Sequence, residues 1–360
     1  MKKFNSTRLA FTSAGCFLGA GHVSGQELWK FFGAFGLPGL AGRVISLIIQ
    51  MVFVIILLRI GEKSGSVTLD RALIPEEKPH LHRAVGIFQL SFLFGVCVIM
   101  IAGAGALVAQ LLGIKAFIGG IAFCIMIVLF ACNGMDGLSR ICTFLVPAMV
   151  AVTMTISVLA IAKAGFPAVL KMKNVNSSAL LPNWWISALT YVSYNIVGAV
   201  GVIVPIGPNC ENEKALKRGA SLGILFLLMI SACILPGLGV SPEAVSAELP
   251  MLALATGLSP VLGWIYAALL VIGMMSTSVS FLVAIDIYAE ERKPALKNKR
   301  ITIIVVLTAL AFAGSLLGFG DLISLVYPIY GYLGFVVMFL LFRHWLKLRN
   351  SKGNAPETVV

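Results

Sequence analysis

Apolar residues run through this chain in long blocks separated by short polar and charged stretches. A helix needs about 20 apolar residues to cross the hydrocarbon core of a bilayer. On that criterion the blocks predict ten spans, at about 8–32, 39–60, 84–112, 114–132, 138–163, 184–207, 215–239, 257–289, 300–319 and 321–346. The connections are short, so residues 1–349 are expected to form a single transmembrane domain. The polar stretch 350–360 reads as a disordered cytoplasmic tail. The two longest connections are about 61–83 and 240–256. The first is charged and expected to be partly helical. The second holds Pro242, Glu243, Glu248 and Pro250 and predicts a short helix on the membrane surface.

The first block breaks its own apolar pattern. Between Leu9 and Phe32 it carries Gly15, Gly19, Gly21 and Gly25, with His22 and Ser24 among them. Glycine inside a helix costs about 1 kcal/mol relative to alanine, and an opened backbone survives at membrane depth only where protein or a water-filled cavity satisfies it. Gly15 and Gly19 also fit a face for close helix packing, but the Gly19-Ala20-Gly21-His22 run predicts a broken helix. The sixth block, NWWISALTYVSYNIVGAVGVIVPIG, has Ser193, Tyr194 and Asn195 at its centre, followed by Gly198 and Gly201. It is expected to be broken there as well, although a buried amide holding two helices together would also explain Asn195. Five spans per half force the halves, about 8–163 and 184–346, into opposite topology. Paired breaks at corresponding positions in such halves point to a transporter's binding site. The expected fold is therefore an all-α membrane protein with ten transmembrane helices, a 5+5 inverted repeat, and spans one and six discontinuous.

Composition supports the membrane reading and removes others. The chain of 360 residues is 59% hydrophobic and 12% charged, with a mean hydropathy of +0.98, where a soluble domain has about 25% charged residues. The net charge of +12 does not indicate nucleic acid, because the basic residues lie in short stretches between apolar blocks, as in loops beside anionic lipid. With the N-terminus inside, all but six of the 27 basic residues fall on the cytoplasmic side; the six are Lys30, Arg43, Lys115, Lys163, Lys171 and Lys173. Both termini are thus expected in the cytoplasm of a multi-pass cell-membrane protein. Trp184, Trp185 and Trp345 stand where interfacial aromatics belong. Lys2, Lys3 and the apolar run after them resemble a signal peptide, but Ser13-Ala14-Gly15-Cys16 lacks the usual leucine and no soluble domain follows. The seven cysteines show no CxxC spacing and the four histidines are scattered, so no metal site is expected beyond a coupling cation.

The run GAGHVSGQELWKFF resembles the first-span signature of the uncharacterised YkvI-type membrane proteins, which usually read G-A-G-F-A-S-G-Q-E. Those are grouped with the amino acid–polyamine–organocation (APC) superfamily and its LeuT-like fold. The resemblance extends through the Tyr194-Asn195 pair and the Ser-Thr cluster of GMMSTSVSF; His22 departs from the usual aromatic residue. It implies a substrate site at Gly19, Ala20, Gly21 and His22 with Ser193, Tyr194 and Asn195, the span-one amides around Ala20 and Gly21 facing a solute carboxylate. It implies an ion site from the carbonyls of Gly15 and Leu18 and the hydroxyls of Ser276 and Thr277, an all-oxygen set suited to a hard monovalent cation. Serine and threonine in spans often bond back to the preceding turn, so one or more of that cluster are expected to be bystanders. The outer-gate arginine of amino-acid symporters falls on Gly25, which leaves Glu27, Lys30 and Asp321 to replace it. An inner gate is expected between Arg8 and the acids Asp286 and Glu290 at the end of span eight.

The function expected is cation-coupled symport of a small amino-acid-like solute. No lysine stands mid-way along span five to replace a bound sodium, which favours Na⁺ over H⁺. The alternative is a sensor subunit of the same fold, like the spore-germination permeases, which binds a small molecule without moving it. A membrane enzyme would need convergent acid, base or nucleophile residues, and His22, Glu27 and Asp286 are expected at different depths. A small-molecule solute and membrane lipid are the expected partners; no other cofactor is called for.

Overall fold

The structure, a computed structural model, describes residues 3–64, 69–74, 76, 78–133, 136–165, 172–176, 178–292 and 299–350. The first apolar block folds as three short helices, α1 (Ser6–Phe17), α2 (Ala20–Val23) and α3 (Gln26–Phe31). Then come α4 (Leu37–Ser64), α5 (Leu69–Leu73), α6 (Pro79–Leu112), α7 (Ala116–Asn133) and α8 (Asp136–Ala164). The second half holds α9 (Trp184–Ile203), α10 (Glu213–Gly239), α11 (Pro242–Val245), α12 (Pro250–Leu258), α13 (Pro260–Arg292), α14 (Arg300–Ser315) and α15 (Phe319–Asn350). Among the described residues seven helices are long and apolar enough to cross a membrane, and α7 and α14 are shorter apolar helices. Outward faces carry bare apolar side chains such as Ile48, Ile125, Leu310 and Phe339, the surface a bilayer covers. This is a multi-pass membrane protein.

Local chemistry sets the helix ends. The Asn5 side chain accepts from the Arg8 amide at 2.9 Å to cap α1, and Asn212 accepts from Ala215 to cap α10, each satisfying a first-turn donor. At the end of the bundle that holds the chain termini, Arg59 pairs with Glu62 (2.8 Å) and Glu213 (2.5 Å), and His344 Nδ1 lies 2.6 Å from the Ala72 carbonyl oxygen.

The packing pairs repeat when the two halves are exchanged. Helix α1 packs on α10 as α9 packs on α4, and α8 packs on α10 as α15 packs on α4. Likewise α8 on α13 is mirrored by α15 on α6, α6 on α7 by α13 on α14, and α7 on α13 by α14 on α6. The extensive pair α15 on α9 has no counterpart of comparable extent among the described residues.

One expectation of the fold fails. Helix α9 is continuous through Ser193, Tyr194 and Asn195, so the break expected at that point of span six is absent. The reason is local: Asn195 Nδ2 donates to the Tyr191 carbonyl at 2.9 Å, one turn back, so the amide satisfies itself without opening the backbone. Regularity changes only beyond Ile203, where a 3₁₀ segment runs Val204–Asn209. The connection 240–256 folds as the short helices α11 and α12. Met251, Leu252 and Ala255 of α12 are buried, and α12 packs on α8 and α13.

Candidate functional site

The break in the first block is real, and its loose ends are tied by distant elements. Helix α1 closes at Leu18, whose amide donates to Ala14. The Gly19 carbonyl then accepts from His22 and Val23. A second interruption at Ser24 and Gly25 separates α2 from α3, with Gly25 in the left-handed region at φ 83°. Tyr266 of α13 donates its hydroxyl to the Val23 carbonyl, and the Met251 amide of α12 donates to the Ser24 carbonyl at 2.9 Å. Protein groups thus satisfy irregular backbone at depth, as hydrocarbon surroundings require.

Beside this break lies a cavity of about 240 Å³. The structure brings to it several residues expected at the site: Gly15, Leu18 and Gly19 from the first block, Tyr194 and Asn195 from α9, and Ser276 and Thr277 from α13. Thr277 donates back to the Gly273 carbonyl at 3.0 Å, and Ser278, fully buried, donates back to Met274, so Ser278 is a bystander of the kind anticipated. Both Thr277 and Ser276 still line the cavity. Ser193 does not; its hydroxyl is buried without a partner among the described residues and lies against Gly334 of α15.

Glu27 is placed elsewhere than expected. It is 4% exposed and lines the cavity, where an outer-gate residue was anticipated. Its Oε2 lies over Gly21: a Cβ on Gly21 would come within 2.7 Å of it, and within 3.5 Å of the Tyr327 hydroxyl. His22 is fully buried behind this point, with Nδ1 2.9 Å from the Tyr191 hydroxyl and 3.9 Å from Glu27 Oε1. Ala20 begins α2, and its side chain lies outside the described residues. The Tyr194 ring stacks on Tyr327 at 4.6 Å with 6° between planes. Its hydroxyl is buried and faces the Glu27 carboxyl.

Arg43, counted from the sequence as an outer-side basic residue, is instead 2% exposed inside the bundle. Its Nε donates to Ser231 at 2.9 Å, and its Cζ sits 4.9 Å from the Tyr191 ring centroid and 5.4 Å from that of Phe32. A signal existed: Arg43 falls within the predicted span 39–60, and a charge within a span is costly unless it is paired or functional. Tyr327 and Phe92, which also line the cavity, carry no such signal, since aromatic residues are ordinary in apolar helices.

The expected gates are less complete. Arg8 lies 4.5 Å over the Phe4 ring; Asp286 and Glu290 belong to α13, but their side chains lie outside the described residues. At the end of the bundle away from the termini, Asp321 and Lys30 line an opening of about 540 Å³ together with Gln26 and Glu248.

No known family model matches the chain. It is 26% identical over 334 residues to the uncharacterized membrane protein YkvI of Bacillus subtilis (strain 168), covering 92% of this chain and 93% of that one. It is also 26% identical over 329 residues to the uncharacterized protein YyaD of the same strain, covering 91% and 93%. Among solved structures it resembles the inward-facing conformation of Mhp1, with a TM-score of 0.72 at 13% identity over 96% of this chain and 79% of that one. It resembles MhsT in complex with L-phenylalanine with a TM-score of 0.66 at 18% identity, over 94% and 89%. At these identities the likeness establishes the fold, which is that of LeuT-type secondary transporters.

Proposed function

We propose that this chain is a secondary active transporter of the APC superfamily that couples a cation gradient, Na⁺ in preference to H⁺, to movement of a small amino-acid-like solute by alternating access. The observation that carries this reading is the broken first block opening on a cavity between α9, α13 and α15. Discontinuous helices beside a mid-bundle cavity are how such transporters hold solute and ion. The exchange of packing pairs between the halves supports ten spans in a 5+5 inverted repeat. In this reading the carbonyls of Gly15 and Leu18 and the hydroxyls of Ser276 and Thr277 hold the ion. Their neutral oxygens suit Na⁺, and a hydroxyl that donates back into its own helix keeps lone pairs for a cation. The fold neighbours are secondary transporters, one captured with L-phenylalanine and another, Mhp1, with bromovinylhydantoin, which supports a solute of that size.

The test is uptake of a labelled amino-acid mixture into proteoliposomes under an inward Na⁺ gradient, with choline as the control. Na⁺-dependent uptake is expected, and Thr277→Val should raise the Na⁺ concentration at half-maximal uptake while Ser278→Ala leaves it unchanged. Equal uptake with Na⁺ and with choline overturns Na⁺-coupled symport.

A further inference from the structure

We propose that Glu27 is the built-in anion of this cavity and that the solute is recognised through an ammonium group, as a small organic amine. The inference rests on the reading that the cavity is the solute site. The amides of a broken first span would ordinarily present their positive end to a solute's own carboxylate. Here that space is filled by the chain itself, because Glu27 Oε2 lies directly over Gly21, close enough that a methyl group could not fit between them. A carboxylate arriving there would be set against a carboxylate already present, and like charges in a low-dielectric site repel strongly.

The remaining lining is rich in oxygen atoms. Arg43 bears on the Glu27 carboxyl through its buried charge, but it is not among the residues lining the cavity; it stands against the Tyr191 ring, with its Nε committed to Ser231. The Tyr194 hydroxyl is buried, lines the cavity and faces the Glu27 carboxyl. The Asn195 amide nitrogen is spent on Tyr191, which leaves its carbonyl oxygen as an acceptor. Carboxylate, phenol and amide oxygens together make an acceptor-rich wall, and an ammonium group brings up to three donors and a positive charge to it. The stacked pair of Tyr194 and Tyr327 adds aromatic faces of the kind that attract organic cations. At about 240 Å³ the cavity falls below the roughly 300–1,000 Å³ typical of drug-sized ligands, so the amine is small.

The experiment is a thermal-shift titration of the purified full-length protein with 2-phenylethylamine, L-phenylalanine and 3-phenylpropionate at matched pH and concentration, on the parent and on Glu27→Gln. These probes share the ring and differ only in charged groups. We expect the amine to raise the unfolding temperature, the acid to leave it unchanged, and Glu27→Gln to weaken amine binding at least tenfold. An acid that stabilises the parent as well as the amine does overturns the inference, as does an equal amine response in Glu27→Gln, or no response to the amine. If Glu27→Gln does not fold, Glu27→Asp replaces it: its shorter carboxylate should keep the preference for amine over acid, and loss of that preference overturns the inference. The transport reading stands or falls separately. An amine that binds but is never taken up leaves this inference intact and removes transport; Na⁺-driven uptake of a carboxylate solute that the amine cannot inhibit does the reverse.

Discussion

Gly21 and Arg43 both bear on the Glu27 carboxyl, one through space and the other through charge. Gly21 leaves room for it: with no Cβ, it lets Glu27 Oε2 lie against the backbone of α2. Gly21→Ala should push the carboxyl aside and weaken amine binding about tenfold, about 1.4 kcal/mol, while Gly21→Leu should abolish it by filling the cavity wall. Ligand-induced stabilisation reports both, and an unchanged shift in a folded Gly21→Leu protein removes Gly21 from the site. Arg43 supplies the buried positive charge nearest this region, held by Ser231 and by two aromatic rings. Removing one partner from a buried charged group typically costs about 3–5 kcal/mol because the other is left uncompensated. Arg43→Met should therefore lower the unfolding temperature sharply, and adding Glu27→Gln should restore part of the loss. Additive losses in the double variant would show that the two charges do not communicate.

Between α2 and α3 the chain turns on one residue. Gly25 is the left-handed link at φ 83°, a conformation that costs an L-residue about 1–2 kcal/mol, and a Cβ there would meet Leu238 and Met251 at 2.8 Å. Gly25→Ala combines backbone strain with a clash against α10 and α12, so it should reduce thermal stability more than Gly113→Ala. Gly113 is also left-handed, at φ 69°, but a Cβ there meets open space. Comparable losses in the two would mean that α12 gives way freely. Sequence pattern located the first break well, since four glycines with a histidine and a serine in one apolar block are hard to accommodate in a continuous helix. It misplaced the second because Ser193, Tyr194 and Asn195 have the composition of a break but not its backbone. The side chain of Asn195 folds back on its own helix, and the pattern of residue types does not distinguish that from an opened turn.

The ends of the described chain share one end of the bundle, where Phe4 meets Asn209 and Lys63 meets Leu348. From the excess of Lys and Arg in the sequence we expect the end that holds the Arg59–Glu213 pair to face the cytoplasm. A green fluorescent protein fused after Asn350 should therefore fluoresce, and alkaline phosphatase fused at the same point should be inactive; the opposite pair of results would invert the topology.

The apolar blocks that form membrane helices, the short links between them, the charge bias and a break within the first block were legible in the sequence, although Ala20–Val23, inside the expected break, is helical. Each depends on the local balance between water, hydrocarbon and backbone hydrogen bonding, which residue type alone largely sets. What a polar residue inside a block does is decided elsewhere. Glu27 proved to line the cavity, and Arg43, counted as an outer-side charge, to be buried inside the bundle. Partners that hold such buried polar groups are remote in the chain: Tyr191 lies 169 residues from His22, and Ser231 lies 188 residues from Arg43. Burial of a charge is affordable only where such a partner arrives, and only the packing of α9, α10, α13 and α15 around the broken first block brings those partners there.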